Sequence, residues 1–261
     1  MHEQAGDALG VRCLYQLIEV AGAGREELRS LLDGVRRLGF AGVNVTFPYK
    51  EAVLDLLDEM SPTAAALGAV NAIVVRDGRL IGHNTDITGF ARAASDLVAG
   101  SGRGTVAVIG AGGVGKAIAF ALAGLGVAEI RLFDTDRAKA DGLATRLRPY
   151  NGIVVVDCIE DALRDAVGLV NGTPVGMLPS RGTPVPDALL HDGLWVADVV
   201  YLPLWTPLLT AAKARNARIM NGGELAIYQA VDAFELFTGL TPSIIEMRNA
   251  FDGVMATACS G

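Results

Sequence analysis

Cysteine and histidine are scarce in this sequence, three of each. Cys13, Cys158 and Cys259 lie far apart, as do His2, His83 and His191, and neither set shows metal-ligand spacing. No metal site is expected, and the thiols read as reduced. There is no run of Lys and Arg, and the net charge is −7, which argues against nucleic acid as a partner. No apolar stretch approaches the roughly 20 residues of a membrane span. Residues 1–4 lack the basic start and apolar core of a signal peptide, so a cytoplasmic location is expected. What is present is ordinary: 261 residues, 51% hydrophobic and 20% charged, enough for one large or two modest domains with real cores.

Helical and extended patterns alternate, which predicts an α/β protein with a largely parallel sheet. Residues 13–20 (CLYQLIEV) read as a strand. Residues 25–38 read as an amphipathic helix with Leu28, Leu31, Leu32 and Val35 on one face. Residues 42–47 read as a second strand. Pro48 suits a first helical position and predicts a helix to about Met60. Residues 71–76 and 79–84 flank Asp77-Gly78, a hairpin turn, and a helix follows Asp86. Residues 99–104 (AGSGRG) read as a linker. The expected domains are 1–100 plus 223–261 for the substrate, and 101–222 as a Rossmann-type doubly wound unit, with C-terminal helices returning to the first.

Residues 105–109 (TVAVI) form a short apolar run typical of a buried parallel strand. Gly110, Gly112 and Gly115 follow in G-x-G-x-x-G spacing, with Ala111, Gly113 and Val114 between them. A helix comes next, then a strand over 129–133 that ends at Asp134. The first glycine permits the tight turn, the second lets backbone approach a pyrophosphate, and the third lets helix and strand pack closely. The helix N-terminus offers N–H groups to phosphates, and Asp134 is placed to bind a ribose hydroxyl. A 2′-phosphate beside Asp134 and Asp136 would be repelled, so NAD is expected over NADP. Arg137 and Arg131 would soften that preference.

No tyrosine is followed four residues later by lysine, so a short-chain-type Tyr-Lys pair is absent. Three polar segments remain as candidates. In residues 44–50 (NVTFPYK), Lys50 falls in the first turn of the expected helix, where a cation opposes the helix dipole and gives up its proton more readily. Such a lysine can take a proton from an alcohol as hydride leaves. In residues 82–86 (GHNTD), Asp86 reads as an N-cap or as a partner for Lys50 and a substrate hydroxyl. In residues 68–71 (GAVN), Asn71 offers donor and acceptor to hydroxyls, or is a plain turn residue. Taken singly, each has an ordinary surface or capping explanation.

Together they are recognisable. N-V-T-x-P-x-K at 44–50, G-A-V-N at 68–71, N-T-D-x-x-G at 84–89 and G-A-G-G at 110–113 resemble the shikimate dehydrogenase family. So do N-x-T-P-x-G-M at 171–177, V-V-Y-x-P at 199–203 and the late Gln229. The motifs run in family order over nearly the whole chain. The resemblance implies hydride transfer between NAD and a ring hydroxyl of shikimate or quinate, a hydroxylated cyclohexene or cyclohexane carboxylate. It implies that Lys50 is the catalytic proton-transfer residue and that Asp86 partners it. Thr46, Asn71, Tyr201 and Gln229 would contact substrate. Asn171, Thr173, Met177, Val199 and Gly222 would lie near the cofactor, with Arg137 at its adenosine end. A monomer or homodimer is expected.

Two departures stand out. NADP-using members usually carry Asn-Arg-Ser/Thr after the second cofactor strand, whereas residues 134–137 are DTDR, as in the NAD-using quinate/shikimate branch. The family also places a strand and a Ser-x-Ser loop ahead of the segment that opens this sequence. The substrate domain is therefore expected to lack one strand, to bind carboxylate weakly and to be less stable. Residues 223–225 also differ from the usual family wording. The alternatives are an aminoshikimate-type dehydrogenase and a catalytically impaired NAD-binding regulatory protein.

Overall fold

The computed structural model describes residues 1–20, 22–150, 152–179 and 181–258; Cys259 lies outside them. The chain divides into two compact units, Met1–Thr85 with Ile227–Gly261, and Asp86–Ala226. In chain order the elements begin with α1 (His2–Ala8), α2 (Arg25–Arg37), β1 (Gly42–Asn44), β2 (Glu59–Met60), α3 (Pro62–Leu67), β3 (Ala72–Arg76) and β4 (Arg79–His83). Then come α4 (Thr85–Gly100), β5 (Thr105–Ile109), α5 (Gly113–Gly124), β6 (Glu129–Phe133), α6 (Arg137–Arg146), β7 (Ile153–Val155) and α7 (Ile159–Leu163). The chain continues through β8 (Gly168–Asn171), β9 (Trp195–Asp198), α8 (Pro207–Ala214), β10 (Ile219–Met220), α9 (Gly222–Thr238) and α10 (Ile244–Ala258). The division into units falls after the first residue of α4, whereas residues 99–104 are the end of that helix and a turn.

The first unit holds a mixed four-stranded sheet, order β1-β3-β4-β2, in which only β2 and β4 run parallel. Its β3–β4 hairpin closes through Asp77 and Gly78, both with positive φ (50° and 73°), the turn that matches strand twist. Helix α2 buries Leu28, Leu32 and Val35 and carries acids in its first turn and arginines in its last, complementing its dipole. Leu31, expected on the same face, is exposed. The core gathers Leu28 and Leu32 with Val53, Ala64, Val70, Ile73 and Leu80.

Two sequence expectations fail here. Residues 13–20 form no strand; they carry no regular secondary structure, and Leu14 and Leu17 are 76% and 70% exposed. A strand needs a paired neighbour, which apolar composition alone does not supply. No α-helix starts at Pro48 either. Residues 48–53 are turns, leading to a short 3-10 stretch (Leu54–Leu56) and then β2. The Lys50 carbonyl accepts from Val70 N–H (2.9 Å) and Leu54 N–H bonds back to Glu51, so the ladder of an α-helix is not made. The dipole argument for Lys50 falls with that helix.

The second unit is a six-stranded, wholly parallel sheet, order β10-β9-β8-β5-β6-β7. Strands β8 and β9 are buried at every position, as apolar runs in such sheets are. The order reverses between β5 and β8, so the strand ends there form a topological switch point, where open α/β sheets bind ligands. The turns after β5 and β8 meet at that point.

Candidate active site

The turn after β5 is built by backbone proximity. Gly110 has φ +97°, and a Cβ there would lie 2.6 Å from the Thr173 methyl. A Cβ on Gly115 would sit 1.9 Å from the Gly110 carbonyl oxygen, so only glycine lets α5 pack this closely. By contrast, nothing lies within 4 Å of a Cβ built on Gly112 or Gly113. Helix α5 starts there with no side-chain cap and no acid in its first turn. Open space before uncapped N–H groups fits a pyrophosphate.

Asp134 faces this turn. Its Oδ2 accepts from Ala111 N–H at 2.7 Å and its Oδ1 from Asp136 N–H at 2.8 Å. Each oxygen keeps acceptor capacity for ribose hydroxyls. Asp136 caps α6 through Ala138 N–H, and Arg137 is exposed at the helix start.

Across the switch point, Asn171 ends β8 fully buried. Its Oδ1 accepts from Thr173 N–H (3.0 Å) and Thr173 Oγ1 (2.7 Å), and its Nδ2 donates to the Val175 carbonyl (3.1 Å). The same amide donates to Asp198 Oδ1 at 2.9 Å. Asp198, which sequence reasoning missed, is 0% exposed at the end of β9. It also accepts from Val200 N–H (3.0 Å) and Thr206 Oγ1 (2.7 Å). Burial pushes its carboxyl up from the ordinary value, and the three hydrogen bonds work against that. The available signal was an acid closing a continuous apolar strand, level with Asn171 in the sheet register. Val199 N–H bonds to the Asn171 carbonyl (3.1 Å). Gly222 lies so close to Val199 that a Cβ would fall 2.4 Å from its carbonyl oxygen. Asn171, Thr173, Val199, Gly222 and the glycine turn are thus brought together. Met177 and Tyr201 are 47% and 51% exposed on the following loops.

In the first unit, Asn71 is buried and faces Thr85. Its Oδ1 accepts from Thr85 N–H at 2.7 Å and its Nδ2 donates to Thr85 Oγ1 at 3.0 Å. The side chain thereby holds the first residue of α4 from the bend just ahead of β3. Asp86, the first residue of the second unit, is the second residue of that helix, 7% exposed, and so is not its N-cap. Asn84 Nδ2 donates to the Ala69 carbonyl (3.1 Å), tying the two polar motifs together. Asn44 Nδ2 donates to the Asn71 carbonyl (3.2 Å), and Tyr15 Oη donates to Asn44 Oδ1 (2.9 Å). Tyr15 was read only as part of a strand. Thr46 is exposed, Lys50 is half-buried, and Gln229 is half-buried on α9.

This fold and these strand-end turns define a Rossmann-type α/β protein with a second, smaller sheet. Residues 1–73 match the shikimate dehydrogenase substrate binding domain. The chain is 46% identical to the quinate/shikimate dehydrogenase (NAD(+)) of Corynebacterium efficiens, over 96% of this chain and 91% of that one. It is 42% identical to the shikimate dehydrogenase (NADP(+)) of Streptomyces avermitilis, over 95% and 87%. Its structure resembles quinate dehydrogenase from Corynebacterium glutamicum in complex with NAD, with TM-score 0.91 and 43% identity over 97% of this chain and 92% of that one. The chain belongs to the shikimate dehydrogenase family.

Proposed function

We propose that this chain is an NAD-dependent dehydrogenase that interconverts a ring hydroxyl and a ketone on shikimate or quinate. One observation carries the cofactor reading. In a chain of this family, the acid after β6 is fixed by the glycine turn after β5, where it repels a 2′-phosphate and accepts from a ribose hydroxyl. Bound NAD supplies the hydride acceptor.

The chain supplies the rest. Residues 110–115 and the α5 N-terminus hold the pyrophosphate, and Asp134 holds the adenosine ribose. Asn171, Thr173, Met177, Val199 and Gly222 line the rest of the cofactor site. Lys50 takes the hydroxyl proton in the oxidative direction and returns it in the reductive one. Asp86 accepts a hydrogen bond from a ring hydroxyl and orients it. Thr46, Asn71, Tyr201 and Gln229 add neutral donors and acceptors, which suit a polyol acid and reject analogues lacking a hydroxyl.

The test is a parallel assay of NAD and NADP reduction with shikimate, quinate and aminoshikimate. Turnover of shikimate or quinate with NAD is expected. Turnover of aminoshikimate alone, or of none of them, overturns the reading.

A further inference from the structure

The adenosine end of the proposed cofactor site carries more charge than Asp134 alone. Asp136 follows it, and Asp157 emerges just beyond β7, the parallel neighbour of β6, at the same edge of the sheet. Two arginines named from the sequence as possible partners for a 2′-phosphate lie in this region. Neither is left unpaired. Arg131 bonds to Glu129 Oε1 (2.6 Å) and to the Asp161 and Arg164 carbonyls, and its side chain is only 20% exposed. Arg137, at the start of α6, is half-exposed and within reach of solvent, yet its Nε donates to Asp141 Oδ1 (3.1 Å) and its Nη1 pairs with Asp157. Lys139 is paired with Asp136 (3.6 Å).

We propose that Asp157, with Asp141, is a specificity-determining residue for the cofactor: the two carboxylates hold Arg137 and withhold its guanidinium from a 2′-phosphate. The mechanism differs from that of Asp134, which acts by direct repulsion at the ribose. An arginine can grip a phosphate with two parallel N–H bonds, which would offset much of that repulsion. Here two of the five N–H donors, on Nε and Nη1, already face a carboxylate, one for each acid. A dianionic phosphate must then compete with two carboxylates for a single guanidinium. Both pairs are at the surface, so the effect is modest and sensitive to salt.

The inference rests on the NAD reading above, and the experiment separates the two. Binding of NAD and NADP is measured by titration calorimetry at low ionic strength, with the wild type, Asp157→Asn, Asp141→Asn/Asp157→Asn, Arg137→Ala and Asp157→Asn/Arg137→Ala. Asp157 is 89% exposed, so its substitution leaves the fold intact. The expected result is a fall of about threefold to fivefold in the ratio of NADP to NAD dissociation constants for Asp157→Asn. A larger fall is expected for the double acid variant. Arg137→Ala alone leaves the ratio unchanged, and added to Asp157→Asn it removes the gain, as a double-mutant cycle requires. An unchanged ratio in Asp157→Asn overturns the inference, as does a gain that survives without Arg137. Failure of the wild type to bind either dinucleotide would instead overturn the cofactor reading itself.

Discussion

The Asp134 carboxylate accepts a 2.7 Å hydrogen bond from the backbone N–H of Ala111, so the acid ending β6 is fastened to the turn ending β5. The acid proposed to bind the ribose thus also shapes the loop proposed to receive the pyrophosphate. Asp134→Ala removes both functions and leaves the buried Ala111 N–H without its acceptor. A hydrogen bond to a charged group contributes about 1.5–3 kcal/mol. NAD affinity in this variant should therefore fall by about tenfold or more by calorimetric titration.

Gly115→Ala places a methyl group 1.9 Å from the Gly110 carbonyl oxygen, which neither backbone can accommodate without moving. Both the melting temperature and NAD affinity should drop. Gly113→Ala is the matched control, because nothing lies within 4 Å of its Cβ. That variant should melt like the wild type, so any loss of NAD binding in it reports contact with the cofactor alone.

Asp198→Ala leaves three buried donors, from Asn171, Val200 and Thr206, without their acceptor. The cost should be about 3–5 kcal/mol in chemical denaturation. Asp198→Asn keeps an acceptor for Asn171 and Val200 and should cost less than about 1.5 kcal/mol. The native carboxyl titrates above its ordinary 3.8, so its contribution to stability is complete below pH 3.8 and fades as pH rises through the raised native value. Asp198→Asn should remove that slope.

His2 gives the opposite dependence. Its ring is buried beside Tyr15, Phe234 and Phe237, and burial lowers its pKa from 6.5 to about 4. Protonation is therefore disfavoured in the native state. The contribution is complete above pH 6.5 and lost as pH falls through about 4, at most about 3 kcal/mol. Melting temperatures of His2→Phe should decline less between pH 7 and 4 than those of the wild type. An identical decline would remove His2 from the account of acid sensitivity.

Lys50→Ala should lower turnover by about a hundredfold to ten-thousandfold, the usual range for a general acid or base. NAD affinity should survive, because Lys50 and the glycine turn belong to different units. A near-normal rate would remove Lys50 from the chemistry.

What could be read from the sequence follows physical range. The β5 and β6 boundaries, the glycine turn and the place of Asp134 were legible because strand, glycine spacing, helix, strand and closing acid follow in unbroken order over residues 105–134. The Asp77-Gly78 hairpin was legible because its turn residues stand directly between the two strands. The strand over residues 13–20 was not, because an apolar run becomes a strand only when another backbone pairs with it. The helix expected from Pro48 was lost to the bond between Lys50 and Val70 across 20 residues, which no local propensity encodes. Asp198 escaped notice because a solitary acid has no spacing to announce it. Its partners Asn171 and Thr206 are assembled only by the sheet. Asn71 was named as a substrate residue, and its hold on Thr85 was visible only once β3 and β4 were side by side.

The end of β9 has one further consequence, for how this protein can be watched. Both tryptophans lie in the second unit: Trp195 is 1% exposed in β9 and Trp205 is 57% exposed just after it. Indole emission will report on the Rossmann-type unit, with the inner ring marking loss of the sheet and the outer one open to quenchers. The smaller unit is dark at those wavelengths. A fluorescence melt alone would therefore miss any separate unfolding of the half that carries Lys50, and circular dichroism or amide exchange is needed beside it.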